Sequence, residues 1–393
     1  MKKRNFLGAF LGLVPSGAMA AGYYLPNQDA FATARGNAFV ATADSAAAVH
    51  YNPAGMTQIE KPEAQAGVYS IVLGNETNAG GQTTEAKDEL QAAPQIYYVQ
   101  PFNDRLSFGF GLDSPFGLGT DWGRDTPFSP VVTEARLMYA SATSAVAYKV
   151  TDEISVGASF SMNYADLSLE QGLGVPGSYL KFTGDDIGFS GSLSARWQPH
   201  EQHAFGLIYT SESSFDMSGK TESNVLASDA SAQLDFMSPA RLAGGYSYRP
   251  APGWNIEANV EWLNWDQLNT LNLQTSSVPG TSSVAVPFEW ESSFIYEIGA
   301  SYTTPEGYVF AAGYDLNENS QPDKNFTPGV SDADRHWFNL GFGRKCDAFS
   351  WMLAYQFGYS NRTVDGAIGT NALANGKYES RHNALMFTWQ QRF

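Results

Sequence analysis

Ile154-Ser155-Val156-Gly157-Ala158-Ser159-Phe160-Ser161-Met162-Asn163-Tyr164-Ala165 repeats every second residue. Ile154, Val156, Ala158, Phe160, Met162 and Tyr164 share one side, and Ser155, Gly157, Ser159, Ser161, Asn163 and Ala165 the other. Successive side chains of a strand point to opposite faces, so one face meets an apolar phase and the other a small or polar one. Phe349, Trp351, Leu353, Tyr355, Phe357 and Tyr359 alternate in the same way with Ser350, Met352, Ala354, Gln356, Gly358 and Ser360. A soluble sandwich gives this alternation too. The aromatic load and strand lengths above about ten residues are what a tilted membrane strand requires.

Outward from these segments, strands are expected near 62–73, 91–101, 104–113, 136–149, 152–166, 180–197, 202–214, 236–249, 254–268, 289–303, 307–316, 334–345, 348–360 and 379–393. Their connections alternate. Short ones fall at 102–104, 150–152, 198–201, 250–253, 304–307 and 346–347, and long ones at 74–90, 114–135, 167–179, 215–235, 269–288, 317–333 and 361–378. Short periplasmic turns alternating with long external loops mark an up-and-down barrel. The fold class is therefore all-β, a 14-stranded antiparallel transmembrane β-barrel, closed so that no backbone edge faces lipid. On the last strand Leu385, Phe387, Trp389 and the terminal Phe393 lie on one face, opposite His382, Thr388, Gln390 and Arg392. A terminal aromatic on such a strand resembles the signal read by the barrel assembly machinery, which makes that machinery an expected partner, with outer-membrane lipid and lipopolysaccharide as surroundings.

The 393 residues carry 23 Lys and Arg against 40 Asp and Glu, a net charge of −17. That balance argues against nucleic acid, whose phosphates need a dense basic footprint. Past the N-terminus no apolar run reaches the roughly 18 residues of a spanning helix. The lone Cys346 excludes an internal disulfide and a cysteine-rich metal site. Met1-Lys2-Lys3-Arg4, the apolar stretch Phe6 to Val14 and Ala18-Met19-Ala20 read as a signal peptide over residues 1–20, so export is expected, and together with the strands the expected location is the bacterial outer membrane. Residues 21–61 are small and Ala-rich and fit no strand pattern. They can fold as a hatch inside the lumen or hang as a periplasmic tail, before a barrel of residues 62–393.

Three stretches resemble the FadL family of outer-membrane transporters of long-chain fatty acids and other hydrophobic compounds. One runs from Ala21-Gly22-Tyr23-Tyr24-Leu25 through Ala34-Arg35-Gly36-Asn37-Ala38 to Asp44–Met56, with Asn52-Pro53-Ala54 as its most specific mark. The second is Ser114-Pro115-Phe116-Gly117-Leu118-Gly119-Thr120 with Trp122. The third comprises Glu261-Trp262-Leu263-Asn264-Trp265 and Ser331–Trp337. The resemblance spans essentially the whole mature chain, and that family has fourteen strands. It implies an N-terminal hatch plugging the lumen, an apolar pocket, and lateral escape of cargo through a gap in the wall. It also puts an aromatic at mature position three in the pocket, which is Tyr23 here. This chain looks compact, so its external loops are expected to be reduced, which leaves an external low-affinity site in question.

A lateral gap needs a strand whose pairing is interrupted. Gly109, Gly111, Asp113, Pro115, Gly117 and Gly119 crowd the third strand. Pro donates no ladder bond and interior Gly often marks a bulge, so a kink is expected near Gly111 to Gly117, unless these residues only begin a long loop. Asn52 and Pro53 would fix a turn of the hatch, because Asn bonds local backbone and Pro presets φ. A carboxylate cargo would need a lumenal cation or donors. Candidates are Arg35, Arg136, Lys181, Arg241, Arg335 and Arg381, though for each an ion pair bracing the wall is the first expectation. No enzyme is expected: His50, His200, His203, His336 and His382 have no nucleophile motif, G-x-S-x-G and H-E-x-x-H are absent, and Asp315–Asn319 lacks the Gly and Glu of a calcium loop. No cofactor or metal is expected. The cargo is expected to be a long-chain fatty acid or similar hydrophobic molecule, with monoaromatic hydrocarbons as the alternative, and the protein a monomer.

Overall fold

The computed structural model describes residues 22–87, 90–226, 230–278, 280 and 282–393. The expected signal peptide lies outside the described residues. Among the described residues twenty strand segments form one antiparallel sheet: β1 (Glu63–Ala79), β2 (Gln82–Glu85), β3 (Leu90–Pro101), β4 (Leu106–Asp113), β5 (Gly117–Asp121), β6 (Glu134–Lys149), β7 (Ile154–Gly172), β8 (Tyr179–His200), β9 (His203–Thr210), β10 (Ser213–Ser223), β11 (Ala230–Ser238), β12 (Arg241–Tyr248), β13 (Trp254–Leu263), β14 (Thr270–Thr275), β15 (Ser283–Pro287), β16 (Ser293–Thr303), β17 (Tyr308–Asn317), β18 (Arg335–Lys345), β19 (Phe349–Val364) and β20 (Gly376–Arg392). Six staves are interrupted, namely β2/β3, β4/β5, β9/β10, β11/β12, β13/β14 and β15/β16, so the twenty segments make fourteen staves. The ring closes where β1 meets β20, from Glu63↔Arg392 to Ala79↔Gly376.

The alternation read from sequence sets the two faces. Phe160, Phe189, Leu193, Leu207, Val260, Ile298, Phe310, Leu340 and Leu385 point outward and are exposed, a belt suited to lipid. Their neighbours Ser161, Asn163, Ser192, Ser194, Asn259 and Gln356 point inward and are buried.

The long external loops expected at 215–235 and 269–288 are instead mostly strand. β10 and β11 form a hairpin with Phe215 opposite Phe236, and β14 pairs with β15. β7 likewise runs to Gly172 and β1 to Ala79. The wall therefore stands higher than expected. Its upper inner face carries apolar residues that need cover, and continuing the ladder encloses them.

Residues 22–59 run within the ring as short turns, with α1 (Ala30–Thr33), α2 (Ala48–Tyr51) and a 3₁₀ segment over Pro53–Gln58. Almost every residue of this segment is buried. Small inward residues make the fit possible. A Cβ at Gly206 would strike the Val40 backbone, and one at Gly299 or Gly313 would strike the Arg35 backbone.

Candidate functional site

The third stave departs from regular pairing. β4 pairs with β3 up to Ile96↔Leu112 and with β6 up to Asp113↔Ser141. Ser114, Pro115 and Phe116 then leave the ladder, and β5 resumes against β6 at Gly117↔Met138. Three residues thus stand opposite two, Tyr139 and Ala140, which is a bulge. β5 has no register with β3, and Leu90–Gln95 of β3 pair only with β1. Pro94, opposite Val68 of β1, lies in that stretch with a neighbour on one edge only.

The N-terminal segment stitches the break from inside. Tyr24 bridges to Phe116, Leu25 N donates to Pro115 O at 2.8 Å, and Gly117 N donates to Tyr23 O at 2.9 Å. Gln28 Nε2 donates to Ser114 O at 2.9 Å. Asp113 is buried, accepts from Tyr97 Oη at 2.9 Å, and pairs with His50 Nδ1 at 2.9 Å. Asp113, Pro115 and Gly117 therefore lie at the break. Gly109 and Gly111 do not: each is paired on both sides, and a Cβ there would meet Val49, Met56 or Tyr97. Their smallness makes room for the hatch and does not bend the strand.

Asn52, Pro53 and Ala54 sit against another part of the wall. Asn52 Oδ1 accepts from Ala54 N at 3.1 Å, and its Nδ2 donates to Val40 O at 2.8 Å and Ala195 O at 3.2 Å. Pro53 opens the 3₁₀ segment, and Ala54 N also donates to Ser194 Oγ at 3.0 Å. These residues hold one turn of the segment to β8.

Above the break lies an apolar chamber that is open at its mouth. Leu118 and Leu137 line it low down, and Leu234, Phe236, Leu271 and Val286 line it from the outer hairpins. Tyr23 forms part of its floor. Its ring lies 4.6 Å from Trp265, 5.3 Å from Phe236 and 6.0 Å from both Phe116 and Trp290, and its hydroxyl donates to Met237 O. The indole N–H groups of Trp265 and Trp290 are buried with no hydrogen-bond partner among the described residues.

The candidate cations separate. Arg136 Nε lies 2.6 Å and Lys181 Nζ 3.3 Å from Glu134, and Arg241 lies 2.6 Å from Tyr24 Oη and 3.4 Å from Glu261. Arg335 is 1% exposed beside Trp337. Arg381 faces away from the lumen, with its side chain 70% exposed and 3.9 Å from Glu379. Its strand reaches the surface with that parity outward, so it is no lumenal ligand. Arg35 lies at the opposite end from the chamber. The ion pair at the chamber is one that sequence reasoning missed: Arg124 forms two 2.8 Å bonds to Glu170 and stacks 3.8 Å over Tyr179. Arg124 lay in an expected loop and Glu170 beyond the expected end of its strand.

The sequence pattern of the family described as outer membrane protein transport protein (OMPP1/FadL/TodX) matches residues 11–392. The chain belongs to this family. It is 21% identical to the long-chain fatty acid transport protein of Escherichia coli strain K12, covering 86% of this chain and 87% of that one. It is 22% identical to outer membrane protein P1 of Haemophilus influenzae strain Rd, covering 92% and 90%. Among solved structures, a Pseudomonas aeruginosa FadL homologue superposes with a TM-score of 0.85 at 17% identity, covering 95% of this chain and all of that one. The Pseudomonas putida toluene transporter TodX superposes at 0.74 and 17% identity, covering 97% and 100%. Barrel and family together place this FadL-family chain in the bacterial outer membrane.

Proposed function

We propose that the chain takes up hydrophobic molecules from outside the cell, holds them in the apolar chamber, and releases them sideways through the break between β3 and β5. One observation carries this reading. The Tyr23–Leu25 segment is at once part of the chamber floor and the partner of the broken stave, so moving it joins the chamber to the wall. The chemistry favours that route. Roughly 0.8 kcal/mol per CH₂ opposes exposing an alkyl cargo to water, so a wet bore offers it no path, while an oily chamber opening onto lipid does.

Long-chain fatty acid is the first cargo class, as in the Escherichia coli relative. The unpartnered indole N–H groups of Trp265 and Trp290 supply the kind of donors a carboxylate head needs near the floor. A second reading, uptake of neutral monoaromatics, is favoured by the chamber lining itself. It contains no Lys, Arg or His among the described residues, and its carboxylate Glu170 is engaged by Arg124.

The route is tested by deleting Pro115. Deletion leaves two residues opposite Tyr139 and Ala140 and lets the ladder run straight. Uptake of labelled oleate and toluene by a strain lacking its own transporter should fall to background for whichever is cargo, with barrel abundance in the membrane unchanged. Undiminished uptake would reject the lateral route, and the substrate that wild-type protein carries decides between the two cargo classes.

A further inference from the structure

The end of the lumen opposite the chamber holds a second recess. Arg35, Arg249 and Lys345 line it together with a single acid, Asp44. Phe31, Phe39, Trp254, Val309 and Met352 form its apolar side. Three cations around one carboxylate is an unusual balance in a chain of net charge −17. Lys345 Nζ lies 3.8 Å from Asp44 Oδ2, too far for a tight bond, and also sits 5.5 Å over the Phe31 ring.

Arg35 is the informative member. It is 4% exposed, and its Nε has no hydrogen-bond partner among the described residues. A buried guanidinium with open donors is costly unless an anion completes it. Glu257, whose charge also acts on Arg35, is turned to other donors. Its Oε1 accepts from Ala41 N at 2.8 Å and its Oε2 from Thr42 N at 3.0 Å. Asp44 reports the local potential. Its side chain is 35% exposed, and Lys345, Arg35, Arg249 and Arg196 pull its pKa down to about 2. A recess walled by protein focuses such a field and concentrates counter-ions from the water outside it.

We propose that this recess is an oxyanion-binding site, taking a carboxylate or phosphate head between Arg35, Arg249 and Lys345 with a short apolar group against Phe31, Phe39 and Trp254. The site stands on different residues from the chamber and the broken stave, and it does not rest on the lateral route. Its ligand is either a free oxyanion of the periplasm or the head of an amphipathic cargo.

Calorimetric titration of the purified full-length protein with hexanoate, hexanol and inorganic phosphate tests it. Hexanoate should bind and hexanol should not compete for the same site. The double variant Arg249→Gln/Lys345→Gln should weaken hexanoate binding by about tenfold or more, and Asp44→Asn should tighten it several-fold. Inorganic phosphate displacing hexanoate assigns the site to a free oxyanion, whereas hexanoate bound regardless of phosphate assigns it to the head of a cargo. Equal hexanoate affinity in wild type and the double variant, with both folded as judged by heat-modifiable electrophoretic mobility, would overturn the site. An Asp44→Asn variant that binds hexanoate more weakly would do so as well.

Discussion

Two arcs of the same wall are built in opposite ways. From β17 through β20 to β1, every stave is paired along both edges, and the hatch packs against it closely: Gly313 meets Arg35, Gly341 meets Ala34, and Ala30 N donates to Thr388 Oγ1 at 2.9 Å. From β3 to β5 the ladder is broken, and the hatch supplies what the missing neighbour would have given, through Tyr23, Leu25, Gln28 and His50. An open edge in lipid leaves backbone groups unsatisfied at several kcal/mol each. Keeping one only where an internal segment can cover it makes the opening depend on that segment. The hatch thus packs closely against one arc and hydrogen-bonds to the break in the other.

The largest effect is expected on the anchored side. Gly313→Val puts a side chain into the backbone of Arg35 and Gly36 and should cost about 3 kcal/mol or more, read as a lower urea midpoint of the refolded protein. Gly244→Ala, whose Cβ meets only Leu207 Cδ1 at 3.8 Å, should change the midpoint by less than about 0.5 kcal/mol. If both behave alike, the hatch does not lean on this arc.

Asp29 sets a pH dependence for the same anchor. It caps α1 by accepting from Ala32 N and receives Gln65 Nε2 of β1 at 2.9 Å. Burial raises its pKa to about 6, against only partly offsetting hydrogen bonds. The folded chain therefore holds a proton there that the unfolded chain has lost above about pH 4. This contribution is full below that pH, is lost as pH rises to about 6, and is flat above, a change of about 3 kcal/mol. Asp29→Asn, which keeps an oxygen for the cap, should remove that slope from the difference between urea midpoints at pH 4 and pH 7. An unchanged slope would mean Asp29 ionises as freely folded as unfolded.

On the sealed side the effects are smaller and local. Tyr23→Ala removes part of the chamber floor and should weaken binding of whichever cargo wild type binds by about tenfold, measured by tryptophan fluorescence titration. Unchanged affinity would confine Tyr23 to packing. His50→Ala breaks the contact to Asp113 and should cost about 1 kcal/mol. Amide exchange should speed up over residues 112–118 while residues 350–360 stay as protected as before. Equal loosening of both arcs would erase the contrast between them.

Much of this was legible in the sequence. The list of alternating segments with its short and long connections carried the stave count, and five of the six short turns lie where the spacing put them, while the one expected at 198–201 falls at 201–202. The outer hairpins were not legible because the alternation changes sign above the lipid. At β10, Phe215 and Met217 are buried while Asp216 and Ser218 face out, the reverse of the belt below. A short run with apolar residues inside and polar ones outside reads as a loop, so Leu234, Leu271 and Val286 of the chamber went unseen. The break itself was visible in Pro115 and Gly117. Gly109 and Gly111 pointed to the same strand for a different reason, since a sequence cannot tell a glycine that bends a strand from one that makes room for a neighbour.

Where cargo touches the wall on its way out can be read directly. An apolar photoreactive analogue of the transported substrate, activated in outer membranes and mapped by mass spectrometry, should label Leu118 and the stretch Leu90–Gln95, which is paired on one edge only, and should leave β18 and β19 clean. Label on Phe31, Phe39 and Met352 at the far end of the lumen, with none on Leu90–Gln95, would mean that cargo runs down the axis past the hatch, and the sideways route would be wrong.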